Sequence, residues 1–255
     1  MRLKNKTCII TGSGRGIGQA YAEGFGKEGA NVVVSDIIEM SDTVKKVEET
    51  GASVIAVECD VTNSEQCKEL AERAMDEFGS IDVLVNNAAI FGDLTAKPLD
   101  KWSEGKWDQV MKVNVKGVWL ASLAVLPYMK EQGDGDIINI SSSTIFSGVP
   151  LLLPYVASKG AIFSMTRSMA RELSGTGIRV NAITPGYTMT EAGEEMFETE
   201  DQFEKFRKKV TQDLRVVQRD EQPEDLVGTA VFLASDESNF ISGQTINVDG
   251  GEAHH

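Results

Sequence analysis

Short runs of apolar and β-branched residues recur along the chain at TCIIT, NVVVSD, SVIAVECD, DVLVNNA, DIINIS, IRVNAIT and QTINVDG. Between them, over 16 to 28, 64 to 78, 104 to 131, 155 to 174 and 223 to 233, apolar positions return with the roughly 3.6-residue period of a helix. Strands that alternate with helices build a parallel sheet covered on both faces. No linker or internal repeat interrupts the alternation. The pattern therefore predicts an α/β fold: a single doubly wound Rossmann-type domain over 1–251, with a seven-stranded parallel sheet and helices on both faces, and a short tail over 252–255. One charged stretch stands apart. Residues 187–222 carry Met196, Phe197, Phe203 and Phe206 at mixed spacing and follow the carboxyl end of a strand, where open α/β sheets bind ligands. We expect a substrate-covering lid there, against the plainer reading of an amphipathic excursion.

Composition narrows the function. The 255 residues carry a formal net charge of -14, which argues against nucleic-acid or anionic-membrane partners, because such footprints need clustered Lys and Arg. Three cysteines, Cys8, Cys59 and Cys67, have no C-x-x-C spacing, and the N-terminus lacks an apolar signal-peptide core. A cytoplasmic protein with reduced thiols is expected, with Cys8 and Cys59 in the core and the sequons at Asn5 and Asn139 unused. The only histidines are His254 and His255, read as a tag remnant. A Ser-His-Asp hydrolase thus has no base, and a zinc alcohol dehydrogenase lacks its ligands. No metal is expected.

After the first strand comes TGSGRGIGQA, where Gly12, Gly16 and Gly18 allow a tight turn into a helix whose N-terminus favours a pyrophosphate. The spacing is T-G-x-x-x-G-x-G rather than G-x-G-x-x-G. Asp36 closes the second strand 18 residues after Gly18. A carboxylate there can accept hydrogen bonds from an adenosine ribose and repel a 2'-phosphate, which favours NAD over NADP. Arg15 pulls the other way, since a guanidinium beside the pyrophosphate could reach a 2'-phosphate, but no basic residue follows Asp36 in DIIEM.

In PYVASKGA, Tyr155 and Lys159 stand four residues apart, on one face of a helix. A phenol with an unperturbed pKa of about 10 beside an ammonium could exchange protons near neutral pH, although such a pair is more often an ordinary surface feature.

With the glycine turn, NNAA, ISSS and YVASK in this order, the chain resembles a short-chain dehydrogenase/reductase from about Lys4 to Gly251. The resemblance implies that Tyr155 is the general acid/base and that Lys159 holds the nicotinamide ribose and depresses the tyrosine's pKa. It makes Ser142, 13 residues before Tyr155, the group that polarises the substrate oxygen. Asn114 in VNVKG matches the family's catalytic asparagine, which would hold a water that relays the proton from Lys159; a helix-interior amide serving backbone groups is the alternative. For the dinucleotide, the resemblance implies Gly12, Arg15, Gly16, Ile17 and Gly18 at the first turn, Asp36, Asp60 and Val61 at the adenosine, and Asn87 and Ala88 in NNAA. Here Ala89 replaces the family's usual glycine. Pro185 and Gly186 would shape the turn after the sixth strand, with Thr188 and Thr190 binding the carboxamide beside Tyr155 and Lys159.

These residues imply an NAD-dependent enzyme that interconverts a secondary alcohol and a ketone. The candidate pocket set of Phe91, Thr144, Ile145, Leu152, Leu153, Tyr187 and Met196 is mostly apolar, with no Arg or Lys, and suggests an aromatic or alicyclic substrate. A 3-oxoacyl-carrier-protein reductase is the alternative within the family; such enzymes usually use NADPH and present a basic surface, which Asp36 and the net charge oppose. A non-catalytic NAD-responsive binding protein is a further alternative, which the complete Asn114, Ser142, Tyr155 and Lys159 set disfavours. The family's habit implies a homotetramer or dimer, formed through the helices over 104–131 and 155–174.

Overall fold

The computed structural model describes residues 1–253; the two terminal histidines lie outside the described residues. The seven expected strands form one parallel sheet in the order β3-β2-β1-β4-β5-β6-β7. They are β1 (Thr7–Thr11), β2 (Asn31–Asp36), β3 (Val54–Glu58), β4 (Val83–Asn86), β5 (Gly135–Ile140), β6 (Ile178–Pro185) and β7 (Thr245–Val248). β1 pairs with β2 from Thr7 opposite Asn31 to Thr11 opposite Ser35, and with β4 through Cys8, Ile9 and Ile10 opposite Val83, Leu84 and Val85. The chain thus winds outward from β1 in one direction and then returns to continue from β4 in the other. That reversal leaves a crevice beyond the carboxyl ends of β1 and β4.

The crossover helices are α1 (Gly16–Lys27), α2 (Ser41–Glu49) and α3 (Ser64–Phe78) in the first half. The helix expected over 104–131 is α4 (Glu104–Met111), a wider π turn over Lys112–Gly117, and α5 (Val118–Gln132). After β5 come the short α6 (Thr144–Ser147) and the long α7 (Leu153–Glu172). The charged stretch contains α8 (Glu191–Glu194) and α9 (Glu200–Lys209), and α10 (Pro223–Leu233) leads towards β7. In α2 only Thr43 and Val47 are buried, so it carries little apolar periodicity.

Each face of the sheet has its own core. One is built from Tyr21, Phe25, Leu226 and Val231 against Ile10, Val34 and Val85; the other from Leu70, Leu120, Val125 and Met129 against Ile9, Leu84 and Ile137. Alternate residues of the central strands therefore enter opposite cores, and the middles of β1, β2 and β4 are apolar on both faces. The helix Glu104–Gln132 is apolar and long enough to cross a membrane, but Leu120, Ala121, Val125 and Met129 pack into this second core. Cys8, Cys59 and Cys67 are all buried free thiols, with the Cys59 and Cys67 sulfurs 4.0 Å apart.

The start of α1 packs hard against the turn that precedes it. A Cβ on Gly18 would lie 2.1 Å from the Gly12 carbonyl oxygen and 2.6 Å from Asn87 Nδ2. Gly18→Ala is therefore expected to lower stability by about 1–3 kcal/mol, read as a fall of roughly 3–10 °C in the thermal midpoint by circular dichroism.

Candidate active site

The ends of β1, β2, β4, β5 and β6 open into one cavity of about 1300 Å³. Gly12 turns the chain out of β1 with a φ of +66°, and a Cβ there would meet Ala88 Cα at 2.6 Å. Asn87 closes the turn from the other side, its Nδ2 donating to the carbonyls of Thr11 (3.1 Å) and Gly12 (2.8 Å). The Thr11 hydroxyl accepts from the backbone N–H groups of Asn87 and Ala88. No side chain caps the first turn of α1, so its N–H groups are available to a diphosphate. Gly12, Arg15, Gly16, Ile17, Asn87 and Ala88 line the cavity as expected. Gly18 does not; it provides the close packing of α1 on the turn.

At the end of β2, Asp36 Oδ2 accepts from the Gly14 N–H (2.8 Å) and Oδ1 from the Ile37 N–H (2.7 Å), which fixes the carboxylate at the cavity edge. The next residues, Ile37 and Ile38, are exposed and bring no charge. Asp60 and Val61 line the same end, with Asp60 Oδ1 holding the Thr62 N–H at 2.8 Å. These features fit the adenosine end of a nicotinamide dinucleotide.

Towards the other end, Ser142, Tyr155 and Lys159 come together on β5 and α7, all buried and all lining the cavity. The Phe91 ring packs on the Tyr155 ring, with centroids 4.9 Å apart. Lys159 Nζ donates to the Ile140 carbonyl at 2.8 Å and lies 5.6 Å from the Tyr155 ring centroid. The expected depression of the phenol's pKa is not supplied by the protein alone. Burial pushes Tyr155 up to about 12, opposed by its hydrogen bond with Ser142. The same burial pulls Lys159 down to about 8, weakening the charge that would favour the phenolate. Ser142 Oγ also accepts from the Thr144 hydroxyl at 3.0 Å, which holds it in place.

Asn114 is placed differently from a cavity residue. It is fully buried in the π turn, its Oδ1 accepts from the Ile90 N–H (2.7 Å), and its Nδ2 donates to the Ile90 carbonyl (3.2 Å) and the Ser158 hydroxyl (3.1 Å). Both polar atoms of the side chain thus have protein partners, and the amide braces the loop after β4 that carries Phe91 against α7. Pro185, Gly186, Thr188 and Thr190 line the cavity below β6. The Thr188 hydroxyl donates to Glu221 at 2.9 Å, and Thr190 caps α8 by accepting from the Gly193 N–H at 3.1 Å.

Of the expected pocket residues, Phe91, Thr144, Leu152, Tyr187 and Met196 line the cavity, whereas Ile145 and Leu153 do not. Leu153 lies two residues before Tyr155 in α7, and that spacing turns it to the opposite side of the helix, where it is 41% exposed. The segment 187–222 lies along the cavity through Ala192, Phe197, Gln202, Phe206 and Lys209. Lys112 and Lys209 also line the cavity and correct the expectation of a wall without basic groups. Arg15 is also not free: its Nη1 and Nη2 fork onto Glu195 at 2.7 and 3.2 Å. No local sequence signal marked Glu191, Glu195, Gln202 or Lys209, because only the folding of the charged stretch back over β1 brings them here.

A family model described as Enoyl-(Acyl carrier protein) reductase matches residues 12–252. The chain belongs to the short-chain dehydrogenase/reductase family. This short-chain dehydrogenase/reductase is similar to the 3-oxoacyl-[acyl-carrier-protein] reductase FabG of Thermotoga maritima, 40% identical over 98% of this chain and 99% of that protein. It also resembles the 2-dehydro-3-deoxy-D-gluconate 5-dehydrogenase of Dickeya dadantii, 38% identical over 98% of this chain and 96% of that protein. A solved 3-ketoacyl-(acyl-carrier-protein) reductase from Brucella melitensis, complexed with NADH, superposes with a TM-score of 0.87 at 31% identity, covering 98% of this chain and 99% of that one. The protein is therefore an oxidoreductase of a family that uses a nicotinamide cofactor.

The bracing by Asn114 can be separated from chemistry. Asn114→Ala would strand the Ile90 backbone groups and the Ser158 hydroxyl in a fully buried place, so a loss of about 2–4 kcal/mol is expected, read as an earlier urea midpoint with an unchanged slope.

Proposed function

We propose that this short-chain dehydrogenase/reductase is NAD-dependent and interconverts a secondary alcohol and a ketone, with Tyr155 as general acid/base. The observation that carries the reading is the convergence of the Tyr155 phenol and the Ser142 hydroxyl on an apolar wall at one end of the cavity, with Asp36 fixed at the other. Bound nicotinamide dinucleotide supplies the hydride acceptor or donor. Gly12, Gly16, Ile17, Asn87 and Ala88 would hold its diphosphate, and Asp36, Asp60 and Val61 its adenosine. Thr188, Thr190 and Lys159 would hold the nicotinamide riboside, over a turn shaped by Pro185 and Gly186.

In oxidation Tyr155 Oη, as phenolate, takes the proton of the substrate hydroxyl while Ser142 donates a hydrogen bond to the same oxygen; in reduction Tyr155 returns the proton. Because burial holds the phenol well above neutral, oxidation should quicken as pH rises and reduction should not. Asn114 acts here as a positioning residue, bracing Ile90 beside the catalytic helix.

The wall of Phe91, Val149, Leu152 and Met196 supports a small apolar, aromatic or alicyclic substrate. A 3-oxoacyl-carrier-protein substrate, which the Thermotoga relative's name suggests, is the second reading; the net charge of -14 weighs against docking an acidic carrier. We further propose that 187–222 serves as the substrate-covering lid. Trp119 and Leu123, exposed on α5, support assembly into a dimer or tetramer through that helix. The free thiols suit a cytoplasmic location.

Two experiments test the chemistry and the cofactor. Absorbance at the NADH band, with NAD⁺ and a panel of secondary alcohols at mildly alkaline pH, is expected to show turnover. Tyr155→Phe should remove it by a factor on the order of 10² or more while keeping NAD⁺ binding by calorimetry; an unchanged rate would sink the assignment. Asp36→Ala is expected to shift the NAD⁺/NADP⁺ preference towards NADP⁺ by about tenfold, measured as the ratio of dissociation constants.

A further inference from the structure

The glycine-rich turn and the charged stretch 187–222 are joined by one cluster of charges. Arg15, immediately ahead of α1, forks both terminal nitrogens onto Glu195, at 2.7 and 3.2 Å, and reaches Glu191 Oε2 at 3.5 Å. Glu191 opens α8 and Glu195 follows its last residue, so the two carboxylates stand one helical turn apart and face the same guanidinium. The packing around the fork is close. A Cβ on Gly92 would lie 2.7 Å from the Ala192 carbonyl oxygen and 2.8 Å from Glu195 Oε2, and a Cβ on Gly16 would lie 3.4 Å from Thr190 Cγ2. The α8 segment is thus held between the glycine turn and the loop after β4.

Arg15 is also the basic residue of the turn that faces Asp36. The residues that follow Asp36 on the cavity wall, Ile37 and Ile38, bring no cation, and Lys45 lies in the neighbouring groove. A dinucleotide bearing a 2'-phosphate needs a guanidinium or ammonium for that charge, whereas one with a free 2'-hydroxyl needs only the Asp36 carboxylate. With Arg15 committed to Glu195, binding the phosphorylated cofactor requires the fork to break and α8 to lose its tie to the turn. The unphosphorylated cofactor leaves the tie in place.

We infer that Glu195, supported by Glu191, is a specificity-determining residue for the dinucleotide: it holds Arg15 as a latch on the lid and so denies it to a 2'-phosphate. The inference rests on the reading of the turn as a dinucleotide site. It explains how a turn with an arginine suited to NADP and a strand end suited to NAD coexist in one chain. It also makes lid closure depend on which dinucleotide is bound, because closure over NADP would lack the latch.

The test is equilibrium binding of NAD⁺ and NADP⁺ by calorimetry to the wild-type protein, Glu195→Gln, Glu191→Gln/Glu195→Gln and Arg15→Gln/Glu195→Gln, with hydrogen exchange followed over residues 191–197. Glu195→Gln should tighten NADP⁺ about two- to fivefold, the scale of one partly exposed ion pair, with NAD⁺ held within about twofold. The double glutamine variant should tighten NADP⁺ further, and both should speed exchange over 191–197. With Arg15 also replaced, the gain for NADP⁺ should vanish. An NADP⁺/NAD⁺ ratio unchanged in the glutamine variants overturns the inference, as does a gain that survives the loss of Arg15. Failure of both dinucleotides to bind the wild-type protein overturns the underlying site reading and the latch with it, a result distinct from NAD⁺ binding with an unchanged ratio.

Discussion

The turn after β1 and the segment after β4 approach each other so closely that only hydrogen atoms fit at Gly12 and Gly18, and the rest of the site is hung from that contact. Asn87 fills the gap with an amide that bonds the carbonyls of Thr11 and Gly12. The contact brings the start of α1 over the crevice, aims its uncapped N–H groups into the cavity and sets the distance from Asp36 to the ends of β4 and β5. A larger residue at either glycine would push α1 outward and widen the site along its whole length. The sheet reverses direction here, so the region of tightest packing is also where the strand ends diverge and leave room for a ligand.

At the far end of the cavity the governing term is desolvation. Tyr155 and Lys159 are both buried, and burial disfavours the charged form of each: the phenol rises and the ammonium falls, to about 12 and about 8. The two proton affinities, nearly equal in water, are thus driven apart, so the proton stays on the Tyr155 phenol and the phenolate is costly in the protein alone. Ser142 opposes the rise of the phenol, and the Thr144 hydroxyl fixes Ser142 in turn. In the proposed reaction the phenolate would need a further positive charge beside it.

The charged stretch forms one side of the cavity. Its aromatic residues pack on one another, Tyr187 on Phe206 at 4.8 Å and Phe197 on Phe206 at 5.1 Å, so the segment has a small core of its own. It is tied down at separate points by Arg15 with Glu195, and by the buried Arg215, which donates to the Tyr187 carbonyl at 2.7 Å and pairs with Glu221 at 3.3 Å. Those ties are ionic and partly solvated at the Arg15 end and buried at the Arg215 end. The Arg15 end, with both partners about half exposed, is the weaker of the two.

The strands, the long helices, the glycine turn, Asp36 and the Tyr155–Lys159 pair were all legible in the sequence, because each depends on neighbours within one or two turns of chain. The apolar runs and their alternation with helical periods determined a doubly wound parallel sheet, and the ordered motifs determined the family. Tertiary structure decided the rest. It turned Gly18 from a cofactor contact into a packing residue, Asn114 into a buried brace between Ile90 and Ser158, and Leu153 and Ile145 away from the cavity. It also gave Arg15 a partner 180 residues away, raised the Tyr155 phenol instead of lowering it, and brought Lys112 and Lys209 to the cavity wall. Each of these depends on which distant groups share a small volume and how much water they exclude, and a local pattern of residues encodes neither.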